Sequence, residues 1–461
     1  MKLFFVFLLS TCTMLGQNQN SKELSYDEFL GYVKKFHPLV KMAKLEVSKS
    51  QANLMMARGA FDPKIEVDYN NKQFVGKNYY SILNSSFKIP TWYGIEVKAS
   101  FNNSEGIYLN PENTLPNQGI TSLGVTVPLG QGLLINQRMS DIKKAKIQML
   151  LSQSERKLQA VQVIYEASVA YFNWKKNYSE VQLYSDYLKN AHLRYEGITN
   201  LIVNGDKPAI DSIEAGITVR NRELNLEDAR LKLAKSKLDL ANYLWLENNI
   251  PLELQEDIIP EESLDKNIIT ILKTNELLVE NLSIDNHPKI NALTNKIELL
   301  EVERQFKANS ILPKMDVGYH YLSEPNTWDA TNFNNHKVAI NFSFPLFLRK
   351  ERGNLQVAKY KIQEGRFNLS LEKTQLTNKI KAQQTEIKSL EKQKLIINQL
   401  VSDYTQILKA EERLFSFGES SMFIINTREN NLVLAQLSKI SLETRHFISH
   451  AELFKIMGNP E

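Results

Sequence analysis

Apolar residues along this chain follow two different periods. In one kind of segment they alternate with polar ones. Ile65, Val67 and Tyr69 alternate with Lys64, Glu66, Asp68 and Asn70, and Ile95, Val97, Ala99 and Phe101 alternate with Glu96, Lys98, Ser100 and Asn102. Met315, Val317, Tyr319 and Tyr321 alternate with Lys314, Asp316 and His320, and Val338, Ile340, Phe342 and Phe344 with Ala339, Asn341 and Ser343. Period two predicts strands with one apolar face, about four long ones. Tyr79–Ile89 alternates imperfectly and reads either as an additional strand or as a belt. Elsewhere the spacing is helical. Leu158, Val161, Tyr165, Ser168 and Phe172 share one face, as do Ile397, Leu400, Val401, Tyr404, Ile407 and Leu408. Leu231/Leu238 and Leu233/Leu240 recur at seven residues, which suits coiled-coil packing.

Prolines bound the helices. None falls between Pro128 and Pro208 or between Pro345 and Pro460, and a helix interior disfavours proline by about 3 kcal/mol. Two long helices are therefore expected, from about Leu133 to Ile202 and from about Gly353 to Phe417. Each would be roughly 100 Å long at 1.5 Å per residue. Shorter runs, about Tyr26 to Arg58, Pro208 to Asn249, His287 to Ser310 and Glu419 to Met457, complete the pattern. A returning run stacked on an opening run matches one long helix, which predicts an antiparallel tube wall.

The pattern occurs twice. His37-Pro38 returns as His287-Pro288, and Asp62-Pro-Lys-Ile-Glu-Val-Asp-Tyr69 returns as Leu312-Pro-Lys-Met-Asp-Val-Gly-Tyr319, both 250 residues later. Val125-Thr-Val-Pro-Leu129 matches Phe342-Ser-Phe-Pro-Leu346 at an offset of 217, and Gly205 matches Gly418 at 213. The first copy is thus 33 residues longer in its strand region. Two internal repeats are expected. Residues 17–250 form the first, with strands in 64–128 and a helical tip near 205. Residues 251–285 form an equatorial connection. Residues 286–461 form the second repeat, with strands in 314–345 and a tip near 418.

Lys2 followed by apolar Leu3–Leu9 reads as a signal peptide over residues 1–16, cleaved after Gly16. The only cysteine, Cys12, lies inside it in a poor lipidation context. Net charge is +4, without the concentrated basic surface of a nucleic-acid binder. No stretch reaches the ~18 apolar residues of a transmembrane helix, so any membrane role falls to the strands. About four strands cannot close a barrel, and an open edge in lipid leaves backbone groups unpaired. Three copies sharing about twelve strands would close it, and would close the helical tube as well. The fold class expected is thus an α+β membrane protein, a trimeric shared β-barrel continuing into a long antiparallel α-helical barrel.

Two further stretches carry a family resemblance. They are Leu193-Arg-Tyr-Glu196 with Gly205-Asp-Lys-Pro-Ala-Ile-Asp-Ser-Ile-Glu-Ala215, and Arg413-Leu-Phe-Ser-Phe-Gly-Glu-Ser-Ser-Met-Phe-Ile-Ile-Asn-Thr-Arg-Glu429. With the duplicated plan, and with Pro128-Leu-Gly-Gln-Gly132 and Pro345-Leu-Phe347 at strand-to-helix junctions, the chain resembles the TolC-like outer-membrane efflux proteins along essentially its whole length. The resemblance implies a passive conduit in the outer membrane, extending into the periplasm, for efflux or type I secretion. It implies a homotrimer in outer-membrane lipid, a periplasmic adaptor and, through it, an inner-membrane RND or ABC pump. It places adaptor docking at Gly205, Asp206, Gly418, Glu419, Ser420 and Ser421. Asp206, Asp211 and Glu419, repeated threefold, are candidates for a periplasmic aperture.

Enzyme chemistry finds little footing, and no cofactor or metal is expected. His446 and His450 have a helical metal spacing but no third ligand nearby in sequence. Gly130-Gln-Gly132 lacks the rest of a phosphate loop and reads as pliable backbone between strand and helix. Adjacent Glu411 and Glu412 point apart on a helix. Trp92 and Trp328 border strands and suit a membrane interface, whereas Trp174 and Trp245 suit helix packing. The competing reading is an exported coiled-coil structural or adhesive protein, which leaves the matched positions of the strand inserts without a reason.

Overall fold

A computed structural model describes residues 23–274, 284–326 and 334–458. The leader with Cys12, Trp328 and part of the expected connecting segment lie outside the described residues. In chain order the elements are β1 (Glu23–Leu24), α1 (Tyr26–Phe36), α2 (Pro38–Gly59), β2 (Lys64–Phe74), β3 (Lys77–Pro90), β4 (Glu96–Glu105) and β5 (Ile120–Pro128). The long α3 (Gln137–Val203) and α4 (Ile210–Ala241) follow, then β6 (Ile259–Pro260), α5 (Leu264–Ile271) and α6 (Pro288–Asn309). The chain ends with β7 (Lys314–Ser323), β8 (His336–Ser343), the long α7 (Arg349–Ser416) and α8 (Met422–Met457). The described residues of 1–40, 161–280 and 380–457 make one compact unit, and those of 41–160, 281–379 and 458–461 make another.

The sheet belongs to the second unit. It is six-stranded and antiparallel throughout, in the order β2-β3-β4-β5-β7-β8. Six strands replace the four or so read from alternation, and two physical reasons account for the difference. In β3 the alternation is broken by Ser81 and Ser85 on the apolar face and by Ile82 on the other. In β5 Thr121 stands on the apolar face and Ile120 on the other, and Gly124 is required where the His320 ring crosses it. A Cβ at Gly124 would lie 2.0 Å from that ring's Nδ1.

Register aligns the two faces across all six strands. Ile65 pairs with Phe87, Phe87 with Ala99, Ala99 with Leu123 and Leu123 with Tyr321. One rung along, Val97 pairs with Val125, Val125 with Tyr319 and Tyr319 with Val338. A single apolar face therefore runs from edge to edge, and Ile65, Val67, Phe87, Leu123, Val125, Ile340 and Phe342 on it are exposed. On the opposite face one rung reads Lys64, Lys88, Lys98, Gly124, His320, Lys337. Like charges directly opposite repel, and so many lysines in one rung fit only a face in contact with water. Glu66, ion-paired with Lys88, lies on the same face.

The helical unit is held by an aromatic core. Tyr26 and Phe29 of α1 pack against Tyr171, Phe172 and Trp174 of α3, with Leu240, Leu264, Ile268, Leu272 and Phe447 around them. Trp174 is thus a packing residue. β1 pairs in parallel with β6, so the start of the described chain is stitched to the connecting segment. Tyr171 Oη donates to the Leu24 carbonyl at 2.7 Å and Tyr26 Oη shares a 2.7 Å hydrogen bond with Ser168.

Both His-Pro pairs begin helices in the same way. His37 Nδ1 accepts from the Leu39 N–H at 3.3 Å, and His287 Nδ1 from the Lys289 N–H at 3.1 Å. Proline at the first helical position gives up an N–H that would have no helical partner, and it holds the histidine before it extended. Burial holds the His37 imidazole below its ordinary pKa, which keeps Nδ1 available as an acceptor. At the strand-to-helix junction, Asn136 Oδ1 accepts from Met139 N at 2.9 Å and its Nδ2 donates to the Trp92 carbonyl at 2.9 Å. Gly130, read from sequence as pliable backbone, instead makes a close approach, because a Cβ there would sit 2.1 Å from the Pro313 carbonyl oxygen. Among the described residues no helix is long and apolar enough to cross a membrane.

Candidate functional site

Both reversals expected from the glycines are present, and they are built alike. At the end of α3, Gly205 has φ +83°, its N–H donates to Ile202 O at 3.0 Å, and Asp206 N–H donates to Leu201 O at 2.9 Å. At the end of α7, Gly418 has φ +79°, its N–H donates to Phe415 O at 3.0 Å, and Glu419 N–H donates to Leu414 O at 2.9 Å. These are two Schellman motifs, in which a left-handed residue lets two trailing N–H groups satisfy the last helical carbonyls. The helix α8 then starts as Ser421 O accepts from Ile425 N–H at 3.2 Å, and Ser420 Oγ donates to Glu411 Oε1.

The two reversals lie side by side. Ile198 of α3, Ala215 of α4 and Met422 of α8 form one small buried cluster, with Ile202 and Phe415 packed on it. Lys207 Nζ lies 5.0 Å from the Phe415 ring centroid. Gly205, Asp206, Gly418, Glu419 and Ser421 are exposed, whereas Ser420 and Asp211 are half-buried. No atom lies within 4 Å of a Cβ built at Gly205 or Gly418. The expected site residues are thus brought to one end of a four-helix arrangement.

Two further features there escape a reading by motif. The first is apolar: Val203, Ile210, Phe417 and Phe423 are exposed around the reversals, although alone in sequence each passes for a core residue. The second is a buried charge cluster. Glu429, 1 % exposed, meets Arg194 Nη2 at 3.2 Å and Arg222 Nη2 at 3.4 Å. Arg222 also donates to Asn430 Oδ1 at 2.6 Å, and Arg194 reaches Glu412 at 3.4 Å. The cluster ties α3, α4, α7 and α8 together. Its signal in sequence is faint, because these residues are spread over more than 200 positions.

Away from the reversals, His446 and His450 are buried against the connecting segment. Their Nε2 atoms are 3.3 Å apart, and His450 Nδ1 is 2.9 Å from Thr274 Oγ1. Burial pushes both pKa values down to about 4. Asp265, 3.8 Å from His446, is paired with Lys394 at 2.6 Å.

Residues 33–244 match the family described as Outer membrane efflux protein. Those residues belong to the outer membrane efflux protein family. No curated protein sequence matches the chain. Among solved structures, it is similar to the Campylobacter jejuni CmeC outer membrane channel (TM-score 0.65, 14% identity, covering 94% of this chain and 85% of that one). It is also similar to the Neisseria gonorrhoeae MtrE outer membrane channel in its open state (0.66, 14%, 94% and 89%). A third likeness is to the outer membrane protein VceC of Vibrio cholerae (0.65, 14%, 94% and 96%). At these identities the likeness establishes the fold, and the family match over α2–α4 connects that fold to efflux proteins.

Proposed function

We propose that three copies of this chain form a passive outer-membrane conduit for efflux or type I secretion. The sheet would be embedded in lipid, and the helices would form a periplasmic tube. A periplasmic adaptor would dock on the reversals at Gly205 and Gly418 and link the conduit to an inner-membrane RND or ABC pump, which supplies the energy. The observation that carries this reading is the sheet itself: one largely apolar face reaching from edge to edge and two unpaired edges, in a chain from an efflux family. Lipid suits the face, and only further strands suit the edges.

The helices support the same reading. On α4, Ile217, Leu224, Leu231 and Leu238 recur every seven residues and are all more than half exposed. Such a stripe asks for a neighbouring helix, and Leu400, Ile407 and Leu414 on α7 form a comparable exposed row. The paired His-Pro caps and paired Schellman turns support a tandem duplication. Exposed Asp206 and Glu419 with half-buried Asp211, each present three times, are the aperture candidates. Native mass spectrometry of detergent-extracted protein tests the assembly. The expected mass is about three times 53.0 kDa, less any cleaved leader, whereas a stable monomer would defeat the shared-barrel reading.

A further inference from the structure

We infer that the barrel has eighteen strands, closed where β2 of each protomer pairs with β8 of the next, and not the twelve that four strands per chain would give. This rests on the shared-barrel reading above and sets the size of the pore. The edges decide it. The strands alternate in direction across an even-numbered sheet, so its two edge strands run oppositely, and β2 meets a neighbour's β8 antiparallel, like every pair inside the sheet.

Register then fixes the match. The helix-proximal ends of neighbouring strands are nearly level, as in Lys314 opposite Ser343 and Pro128 opposite Asp316. Keeping them level at the new junction sets Lys64 opposite Ser343, and therefore Ile65 opposite Phe342, Val67 opposite Ile340 and Tyr69 opposite Val338. Apolar side chains meet apolar ones, so the lipid face continues across the seam. On the other face Asp68 falls diagonally opposite Lys337, and the acidic residues of β2 complement the lysine of β8.

The stagger supplies an independent check. The rung running straight across the sheet from Lys64 ends at Lys337, six residues short of Ser343. Level closure therefore shifts each protomer by six residues over six strands. Shear then equals strand number, and with a rise of about 3.3 Å and a spacing of about 4.8 Å the strands tilt by about 35°. That agrees with the ~35–45° of transmembrane barrels. The backbone diameter comes to about 33 Å, against about 22 Å for twelve strands at the same tilt. The first repeat carries its 33 additional residues between Tyr69 and Val125, a span that holds β3 and β4, and these strands would thus widen the pore and admit bulkier solutes.

Paired cysteines and a short thiol-specific crosslinker test this, because directly opposite Cβ atoms lie only about 4.5–5.5 Å apart. Cys12 is the only native cysteine, so the single-cysteine variants give the background. In membranes, Val67→Cys with Ile340→Cys is expected to yield a covalent trimer. Ala99→Cys with Ile340→Cys, opposite each other only if β4 closes a twelve-stranded barrel, should yield none. Crosslinking of the Ala99 pair instead, or of neither pair in an intact trimer, would overturn the eighteen-stranded barrel and leave the shared barrel standing. Absence of any trimer would remove the reading on which it rests.

Discussion

Glu429 is buried between two arginines, and its carboxylate is the acidic group both of them share. Removing one member of a buried ion pair costs about 3–5 kcal/mol, mostly because the remaining charge is stranded. Glu429→Ala should therefore loosen α4 against α8. Hydrogen exchange at amides around Arg222 is expected to speed up by roughly a hundred-fold or more. Adding Arg222→Met should recover much of that protection, since it removes the stranded charge. The His446–His450 pair gives a second, pH-dependent handle. Burial lowers both pKa values from 6.5 to about 4, so the folded protein favours neutral rings. Their contribution to stability is present above about pH 6.5 and is lost as pH falls towards about 4. Between those limits the wild type should lose more thermal stability than His446→Gln/His450→Gln, followed by helical circular dichroism. Parallel pH profiles would refute this. Neither cluster is legible in sequence. A histidine pair at helical spacing and a lone Glu look the same whether solvated or buried, and the deciding partners (Thr274, Asp265, Arg194, Arg222) come from distant elements.

Strands and helices differ in how plainly they announce themselves. The two long helices are legible because proline-free runs with a 3.6-residue period extend over 67 and 68 residues, where propensity and pattern accumulate. The apolar face of β2, β4, β7 and β8 is legible for the same reason at period two. β3 and β5 are obscured because Ser81, Ser85 and Thr121 stand on the apolar face and Ile82 and Ile120 on the other, which breaks the period of two. The face can be tested one element at a time. Val67→Arg and Val97→Arg put a charge on the side assigned to lipid, at a cost of about 2–4 kcal/mol near the midplane, and should sharply lower the amount of heat-resistant trimer in membranes. Glu66→Arg and Glu96→Arg lie on the lysine-bearing side and should assemble normally while changing single-channel conductance. Equal tolerance on both sides would mean a sheet that meets no lipid.

For the assembled conduit, the decisive question is whether the two reversals form the end that meets the adaptor. Their positions are legible in sequence, since Gly205 and Gly418 recur in matching frames and a left-handed turn at a helix end favours glycine. The apolar residues around them are not, because exposure at Phe417 and Phe423 depends on how four helices end together. Gly418→Trp separates structure from function here. With no atom within 4 Å of its Cβ, the new side chain leaves the exposed backbone without a clash, and the intrinsic cost is the ~1–2 kcal/mol of a left-handed non-glycine residue. The trimer should therefore still form and reach the outer membrane, yet a bulky ring projecting from the reversal should block docking and abolish transport. Gly418→Asn, which tolerates the left-handed conformation, should keep most of it. Gly205→Trp should impair transport less completely, because Asn204 and Pro208 also shape that turn. A photo-crosslinker at Ser421 should capture the adaptor in the wild type and lose it in Gly418→Trp. An assembled Gly418→Trp trimer that supports full efflux with its cognate pump would place adaptor docking elsewhere on the molecule.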